Sequence, residues 1–279
     1  MAGDPLAETQ RRVREQFGAA ADAYVASATH AKGAELPRLV EVVRARLGEI
    51  RGRRALDVAT GGGHTARALA EAGALVTVSD LTPEMLAAAE THLRGALPDA
   101  QLTFVAAAAE ALPFEDGAFD LVTCRIAAHH FGDPRAFLAE VARVLRPGGV
   151  FLLVDNIAPE DARLAEAMNE IERLRDPSHV RAYRLSDWVS WAGEAGLEPF
   201  LLERFWRSKE LGSWLRRANT AEENERLLRE RLEAASEPVR RYLLAPPEAG
   251  DGTDVRPAPG ADLQLRHEVL LLAAAAGPY

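Results

Sequence analysis

Cysteine is almost absent from this 279-residue chain, whose single cysteine is Cys124. One cysteine excludes an intrachain disulfide framework and any cysteine-rich zinc or iron–sulfur site, and it fits the reducing cytoplasm. The chain is 48% hydrophobic and 27% charged, which excludes disorder and is typical of a soluble chain with a core. We therefore expect a cytoplasmic protein with one large domain, or one domain with additions.

Long apolar runs and an excess of positive charge are also missing. The longest apolar run, residues 269–276, is far shorter than the roughly 20 residues that span a bilayer. Residues 1–10 lack the basic-then-apolar order of a signal peptide. The formal net charge of −9 repels phosphate backbones and anionic membranes. We therefore expect neither a membrane nor a nucleic acid as partner, and a homodimer is left open.

Short apolar runs alternate with amphipathic patterns in the middle of the chain. The runs predict strands at residues 55–59, 75–79, 102–106, 119–124 and 150–154. The patterns between them predict helices at residues 65–72, 83–93 and 135–145. Strands that are apolar on both faces and separated by helices are typical of a parallel sheet covered on both sides. We therefore predict an α/β core over residues 51–157.

Helical patterns flank this core on both sides. Residues 1–50 are predicted to form an N-terminal helical cap of two helices. Residues 158–279 are predicted to add a helical insertion and C-terminal strands that complete the same sheet. The elements expected there are helices at 162–174 and 186–195, a charged helix at 220–234, and strands at 200–205 and 263–272. The proline-rich and glycine-rich segment 245–261 is predicted as a surface loop.

Basic and aromatic residues alternate between residues 204 and 217. The residues concerned are Arg204, Trp206, Arg207, Lys209, Trp214, Arg216 and Arg217. Such a pattern occurs in nucleic-acid-binding faces, but packing of tryptophans under the aliphatic stems of arginines is the commoner cause. We therefore interpret it as packing.

A glycine-rich turn follows the first predicted strand. Residues 56–66 read LDVATGGGHTA, so three consecutive glycines lie between a strand and the start of a helix. Glycine lets the backbone turn sharply and approach a ligand closely, at the strand end where open α/β sheets bind ligands. The turn therefore predicts a site for a nucleotide-like ligand.

Asp57 and Asp80 bear on the class of that ligand. Gly61, Gly63 and Ala66 fit the loose dinucleotide fingerprint, so an NAD-type oxidoreductase is one interpretation. A pyrophosphate favours amide donors without a nearby carboxylate, whereas a cofactor with ammonium and sulfonium groups tolerates Asp57 inside the strand. Asp80 ends the second strand, where an acid accepts hydrogen bonds from ribose hydroxyls in either class.

Five sequence blocks resemble, in order and spacing, the class I S-adenosylmethionine-dependent methyltransferases. They are residues 56–63, 80–86, 109–114, 119–122 and 143–149, and they are most similar to the type 11 branch with the ubiquinone and menaquinone C-methyltransferases. The resemblance implies a Rossmann-like, mostly parallel seven-stranded sheet with helices on both faces, an antiparallel last strand and a lid formed by the N-terminal helices and the helical insertion. It implies methyl transfer from S-adenosylmethionine to a small, aromatic or quinone-like acceptor.

The resemblance also implies where the cofactor binds. The residues that it assigns to cofactor binding are Asp57, Ala59, Gly61, Gly63, Asp80, Leu81, Met85, Ala109, Glu110 and Arg125. Asp80 would accept from the ribose hydroxyls, and Arg125 would lie near the methionine moiety. Two positions depart from the family, which usually has glycine at Ala59 and often has aspartate at Ala108. Ala108 cannot accept a hydrogen bond from the adenine amino group, and the sequence contains no secure catalytic base. A protein that binds the cofactor without methylating anything is therefore a third interpretation.

His129 and His130 are the candidate catalytic residues. They follow the fourth predicted strand, where the family layout places the donor methyl group. An imidazole titrates near neutral pH, so either residue could take a proton from an acceptor such as a phenol. The alternative for one of them is a structural role, in packing against Phe131 or in capping the next helix.

Five more residues are candidates for contact with the acceptor or for the lid. They are Tyr24, His30, Asp155, Asn156 and His179. Asp155 and Asn156 are similar to the acid–amide pair of magnesium-dependent catechol-type enzymes. Those enzymes need a further acid after the fourth strand, where this chain has Arg125, so no metal is expected.

Overall fold

A seven-stranded sheet in the order β3-β2-β1-β4-β5-β7-β6 organises the protein. The computed structural model describes residues 4–18, 33, 35–244 and 263–277. The strands are β1 (Arg54–Val58), β2 (Leu75–Asp80), β3 (Leu102–Ala106), β4 (Phe119–Arg125), β5 (Leu145–Ile157), β6 (Leu197–Glu210) and β7 (Gln264–Ala276). Strands β1 to β5 pair in parallel, whereas β7 is antiparallel to both β5 and β6. The predicted Rossmann-like fold with an antiparallel last strand is confirmed.

Helices pack on both faces of this sheet. They are α1 (Pro5–Gly18), α2 (Glu35–Leu47), α3 (His64–Glu71), α4 (Pro83–Ala96), α5 (Pro134–Val144), α6 (Ala162–Arg175), α7 (Leu185–Glu194), α8 (Leu211–Arg217), α9 (Glu222–Ala234) and α10 (Glu237–Leu244). A single 3₁₀ turn covers Ala128–His130. Within the described residues, no helix has the length and apolarity needed to cross a membrane.

The apolar strands of the sheet are buried from both sides. In β4, Leu121 packs in the cluster that contains Leu69 of α3, whereas the adjacent Val122 packs in the cluster that contains Trp188 of α7. Successive side chains of a strand point to opposite faces, so a strand covered on both faces must be apolar at every position. This is why the central strands are continuous apolar runs.

The C-terminal elements are longer and more numerous than predicted. The structure extends β6 over Leu197–Glu210, against a prediction of 200–205, and begins β5 at Leu145 rather than at 150. Strand β6 lies at the edge of the sheet and alternates charged with apolar residues. A search for continuous apolar runs therefore found only part of it. The helix predicted from the charged tract is present as α9, which buries Leu228 and Leu232.

The chain crosses the sheet between β3 and β4. Strand β1 pairs with β2 on one side and with β4 on the other, so the carboxyl ends of β1 and β4 lie next to each other. Ligands of open α/β sheets bind at this kind of switch point. The predicted boundaries of the cap and the core, near residues 50 and 157, stay predictions.

Candidate active site

A cleft of about 880 Å³, partly open to solvent, lies at the carboxyl ends of β1, β2 and β4. Of the predicted site residues, those that line it are Ala59, Gly61, Asp80, Leu81, Met85, Ala109, Glu110, Arg125 and His130. The lining residues that the sequence did not single out are Gln10, Val13, Phe17, Thr60, Gly62, His64, Thr82, Ala107, Ile126, Ala127 and Phe131.

The glycine-rich loop uses two glycines for two different purposes. Gly61 (φ 55°) and Gly63 (φ 80°) both have left-handed backbone conformations that favour glycine. Gly61 lines the cleft, and no protein atom lies within 4 Å of where its Cβ would be. Gly63 does not line the cleft; a Cβ there would lie 3.1 Å from Leu93 of α4. Gly61 therefore faces the ligand space, and Gly63 permits close packing of α3 on α4.

Two non-glycine residues of the cleft also have a left-handed backbone. Ala59 has a φ of 52° and Ile126 a φ of 54°. This conformation costs roughly 1 to 2 kcal/mol for an ordinary residue, and it is most unusual for a β-branched one. Ala59 stands where the family usually has glycine, so the structure explains that preference. Ile126 directly follows Arg125, so backbone strain is concentrated at the cleft.

Asp57 of β1 and Asp80 of β2 lie at different depths relative to the cleft. Asp80 lines the cleft, and its carboxylate accepts from the backbone N–H groups of Gly61 (3.0 Å) and Thr82 (2.9 Å). Asp57 lies beneath the cleft and accepts from the Thr60 and Thr123 hydroxyls, each at 2.7 Å. Burial raises the pKa of Asp80 and raises that of Asp57 to about 6. Asp80 can contact a ligand, whereas Asp57 supports the loop.

Arg125 connects the cleft to helix α2. Its Nε donates to the Thr65 hydroxyl at 3.0 Å, and a terminal nitrogen donates to Glu35 at 2.8 Å. The Glu35 side chain is fully buried and also pairs with Arg207 of β6. Arg125 therefore lines the cleft with its charge partly neutralised by Glu35, a residue that sequence analysis missed.

His129 lies behind the cleft and is held by Asp155. The Asp155 carboxylate accepts from the His129 backbone N–H at 2.9 Å and lies 2.7 Å from its ring Nδ1. Burial opposes protonation of this imidazole, but the Asp155 carboxylate overrides it and raises the pKa of His129. Asp155 is itself buried and is not a lining residue.

His130 faces the cleft, where its ring meets the edge of Phe17 at a centroid distance of 4.9 Å. Its Nδ1 donates to the Ser178 carbonyl oxygen at 3.0 Å, which leaves Nε2 as the basic nitrogen. Burial and the neighbouring His129 lower the pKa of His130 to about 4. His130 is therefore neutral at physiological pH. Helix α5 is capped by Asp133, so neither histidine has the alternative capping role.

Of the remaining lid and acceptor candidates, His179 and Asn156 lie outside the cleft lining. His179 is buried behind His129, and its Nε2 lies 2.8 Å from the Asn169 side-chain oxygen. Asn156 is buried, and its backbone N–H donates to Asp155. Tyr24 and His30 lie outside the described residues. In the part of the chain that the structure describes, no group of three or more His, Cys, Asp or Glu is arranged to hold a metal ion.

Helix α1 covers one side of the cleft. Val13 and Phe17 line it, and the Gln10 amide donates to the Glu110 carboxylate at 3.4 Å. The second oxygen of Glu110 accepts from the backbone of Gly132 at 3.0 Å. Thr9 is the one buried residue of α1, so this helix is held by few contacts.

Comparisons with known proteins identify the family. Residues 56–153 match the family model described as methyltransferase domain. The chain is 36% identical to the uncharacterized methyltransferase YcgJ of Bacillus subtilis over 80% of this chain and 87% of that protein. It is 36% identical to the ubiquinone biosynthesis O-methyltransferase of Xanthomonas oryzae over 58% of this chain and 69% of that protein.

A solved structure agrees with these matches along most of the chain. The BH2331 protein of Bacillus halodurans superposes with a TM-score of 0.79 at 34% identity, over 88% of this chain and all of that chain. The likeness therefore extends well beyond the residues that match the family model. The chain belongs to the methyltransferase domain family, and it is an S-adenosylmethionine-dependent methyltransferase.

Proposed function

We propose that this enzyme methylates a small planar acceptor, aromatic or quinone-like, at the end of the cleft bordered by His130. The observation that carries the proposal is the composition of that end. Phe17, Ile126, Ala127 and Phe131 supply apolar walls, and the neutral imidazole of His130 is the polar group among them. A flat acceptor with one ionisable hydroxyl or acidic carbon matches such a surface.

The residues of the cleft fit S-adenosylmethionine. The Asp80 carboxylate is fixed by two backbone N–H groups and has lone pairs left for the ribose hydroxyls. Leu81 and Met85 would supply an apolar wall for the adenine, and Ala109 and Glu110 would flank it on the other side. Gly61 leaves space in which the methionine part would lie, near Arg125. When bound, the cofactor supplies an activated methyl group on a sulfonium.

The side chains of the protein align the acceptor and remove its proton. Alignment of two reactants can supply several kcal/mol of the barrier by itself. The Nε2 atom of His130 is placed to accept the proton of an acceptor hydroxyl, because Nδ1 is held by the Ser178 carbonyl. Asp155 acts through His129, whose backbone and ring it fixes beside His130. His130 is thus the proposed catalytic residue, and His129 and Asp155 are positioning residues.

Calorimetric titration with S-adenosylhomocysteine and, separately, with NAD tests the cofactor part. We expect S-adenosylhomocysteine to bind, and Asp80→Ala to weaken it by about tenfold to over a hundredfold, since charge-assisted hydrogen bonds are lost. Asp99→Ala is the matched control, because Asp99 is an exposed carboxylate that does not line the cleft. Unchanged affinity in Asp80→Ala would remove the ribose assignment.

A screen with a labelled methyl donor tests the acceptor part. Three classes of acceptor are tested separately: phenols, quinols and simple amines. We expect labelled product from phenols or quinols. Transfer to amines alone would contradict the proposal. The family assignment already sets aside the NAD-type oxidoreductase and the cofactor-binding protein without activity as alternatives.

A further inference from the structure

Basic side chains lie between the cleft and the edge of the sheet. Arg125, which lines the cleft, and Arg207 of β6 both pair with the buried Glu35 carboxylate. Lys209 lies two residues further along β6, on the same face as Arg207 and about 7 Å from it along the strand. A row of cations therefore leads from the cleft to Lys209.

Lys209 has an unusual environment for a lysine. Its ammonium lies 6.0 Å from the centroid of the buried Trp214 ring, and the Arg175 guanidinium lies 4.8 Å from the same centroid. Burial, helped by the charges of Arg175 and Arg207 and opposed by the Glu172 carboxylate, lowers the pKa of Lys209 to about 7. Within the described residues, the ammonium forms no direct ion pair and donates no hydrogen bond, and Glu172 is the carboxylate whose charge favours its protonation.

The nearby carboxylates are already occupied. Glu172 lies 3.3 Å from Arg175 and 2.7 Å from the ring of His267, and Glu35 is shared by two arginines. A partly buried ammonium beside other cations keeps its charge only where an anion joins it, and otherwise it loses its proton. Its presence in a chain of net charge −9 therefore indicates a site that an anion fills.

The cationic cluster of Lys209, Arg207 and Arg175 lies outside the cleft lining, and helix α1 connects its surroundings to the cleft. The Gln16 amide of α1 donates to the Ala218 carbonyl oxygen at 3.1 Å, directly after α8. Phe17, the next residue of α1, lines the cleft against His130. The chain around Trp214 thus meets the helix that borders the acceptor.

We propose that Lys209, Arg207 and Arg175 bind an oxyanion, a carboxylate or a phosphate, that is carried by the methyl acceptor. This inference rests on the proposed function and adds to it, since it makes the acceptor an acidic molecule. The apolar end of the cleft holds the planar part, and the cationic cluster holds the charged group. Because β6 supplies two of the three cations, the C-terminal part of the chain determines acceptor class.

Titration of the whole 279-residue chain with benzoate and with inorganic phosphate, in the presence of S-adenosylhomocysteine, tests the inference. We expect one of the two probes to bind, and Lys209→Met to weaken it by about tenfold to a hundredfold. Lys209→Arg keeps the charge and should bind within a few-fold of the wild type. Arg204→Met is the matched control, because Arg204 is exposed on the opposite face of β6 and pairs with Glu268. The stronger probe identifies the anionic group.

Two further readouts separate a binding role from a structural one. Lys209→Met should raise the melting temperature, because an unpartnered charge is removed; a structural lysine would lower it. Lys32 and Lys209 are the only lysines of the sequence, so acetylation with mass spectrometry reports on each, and the bound probe should protect Lys209 alone. Equal binding of both probes by wild type and Lys209→Met, or no binding by either, overturns the inference. Binding of S-adenosylhomocysteine in the same samples shows whether the proposed function still stands.

Discussion

The Asp155 carboxylate holds His129 at two points, the backbone N–H at 2.9 Å and the ring Nδ1 at 2.7 Å. The ring of His130 lies 4.2 Å from that of His129, centroid to centroid. Asp155 raises the pKa of His129, and His129 in turn helps burial to lower the pKa of His130 to about 4. The carboxylate thus favours protonation of His129, whereas burial and the neighbouring His129 disfavour protonation of His130.

Replacement of Asp155 should change the acid limb of the pH–rate profile. The active form has neutral His130, so activity rises with pH through the pKa of His130, about 4 in the wild type. In Asp155→Asn, His129 loses its carboxylate and becomes neutral near pH 7, so it no longer opposes protonation of His130. The Asp155 charge, which favours protonation of His130, is lost as well, but its influence on that pKa is smaller than that of His129. The acid limb should therefore move to higher pH. An acid limb that stays in place would contradict the coupling of the two histidines.

His130→Gln should reduce turnover by roughly 10²-fold to 10⁴-fold, with S-adenosylhomocysteine affinity nearly unchanged. The reason is that glutamine keeps a polar side chain but cannot take up a proton. Steady-state kinetics at saturating acceptor and calorimetry on the same variant provide the measurement. The matched variant is His92→Gln, since His92 is partly buried on α4 and does not line the cleft. Near-normal turnover in His130→Gln would show that alignment alone drives methyl transfer.

The low pKa of His130 also predicts how stability depends on pH. Between pH 6.5 and about 4 the unfolded chain binds a proton at this residue that the folded protein does not bind. Stability should therefore fall as the pH falls through this window, by up to about 1.4 kcal/mol per pH unit. His130→Gln should have a flatter stability profile there, measured by urea unfolding at several pH values. Parallel profiles for the two proteins would refute the assignment.

Much of the cofactor side of the cleft could be predicted from the sequence. Asp80 and Gly61 lie at strand ends, and strand ends in a parallel sheet follow from local patterns along the chain. The acceptor side could not be predicted, because Phe17 reaches it from a helix distant in sequence. Whether His129 or His130 faces the cleft depends on a single 3₁₀ turn, which periodicity does not resolve.

Lys209 shows the same limit in another way. The alternation of basic and aromatic residues between 204 and 217 predicts packing of the tryptophans, and the burial of Trp214 confirms this prediction. The unpartnered ammonium beside it depends on which carboxylates α2 and α6 bring close. The local sequence does not show which distant carboxylates will lie close enough to neutralise a lysine.

The two loop glycines should respond differently to alanine. Gly63→Ala adds a left-handed alanine and a Cβ at 3.1 Å from Leu93, so we expect a loss of about 1 to 3 kcal/mol of stability. Gly61→Ala has the backbone cost but no protein contact, and its Cβ points into the ligand space. It should lose less stability and more S-adenosylhomocysteine affinity than Gly63→Ala. Thermal unfolding and calorimetry on both variants distinguish these effects, and a reversed order would contradict the assignment.

Helix α1 should become ordered over the cleft when cofactor binds. It borders the cleft through Val13 and Phe17, yet Thr9 is its one buried residue. Its side-chain hydrogen bonds to the rest of the protein run from Gln10 to Glu110 at 3.4 Å and from Gln16 to the Ala218 carbonyl oxygen at 3.1 Å. A helix held by so few contacts opens readily, and a sulfonium site benefits from exclusion of water. Hydrogen exchange with S-adenosylhomocysteine should therefore show added protection in residues 5–18 and 175–185, and little in the surface helix α9. Phe17→Ala should reduce the protection of α1 while leaving that of the sheet unchanged. Equal exchange of α1 with and without the ligand would show that this helix is a fixed wall of the cleft and not a lid.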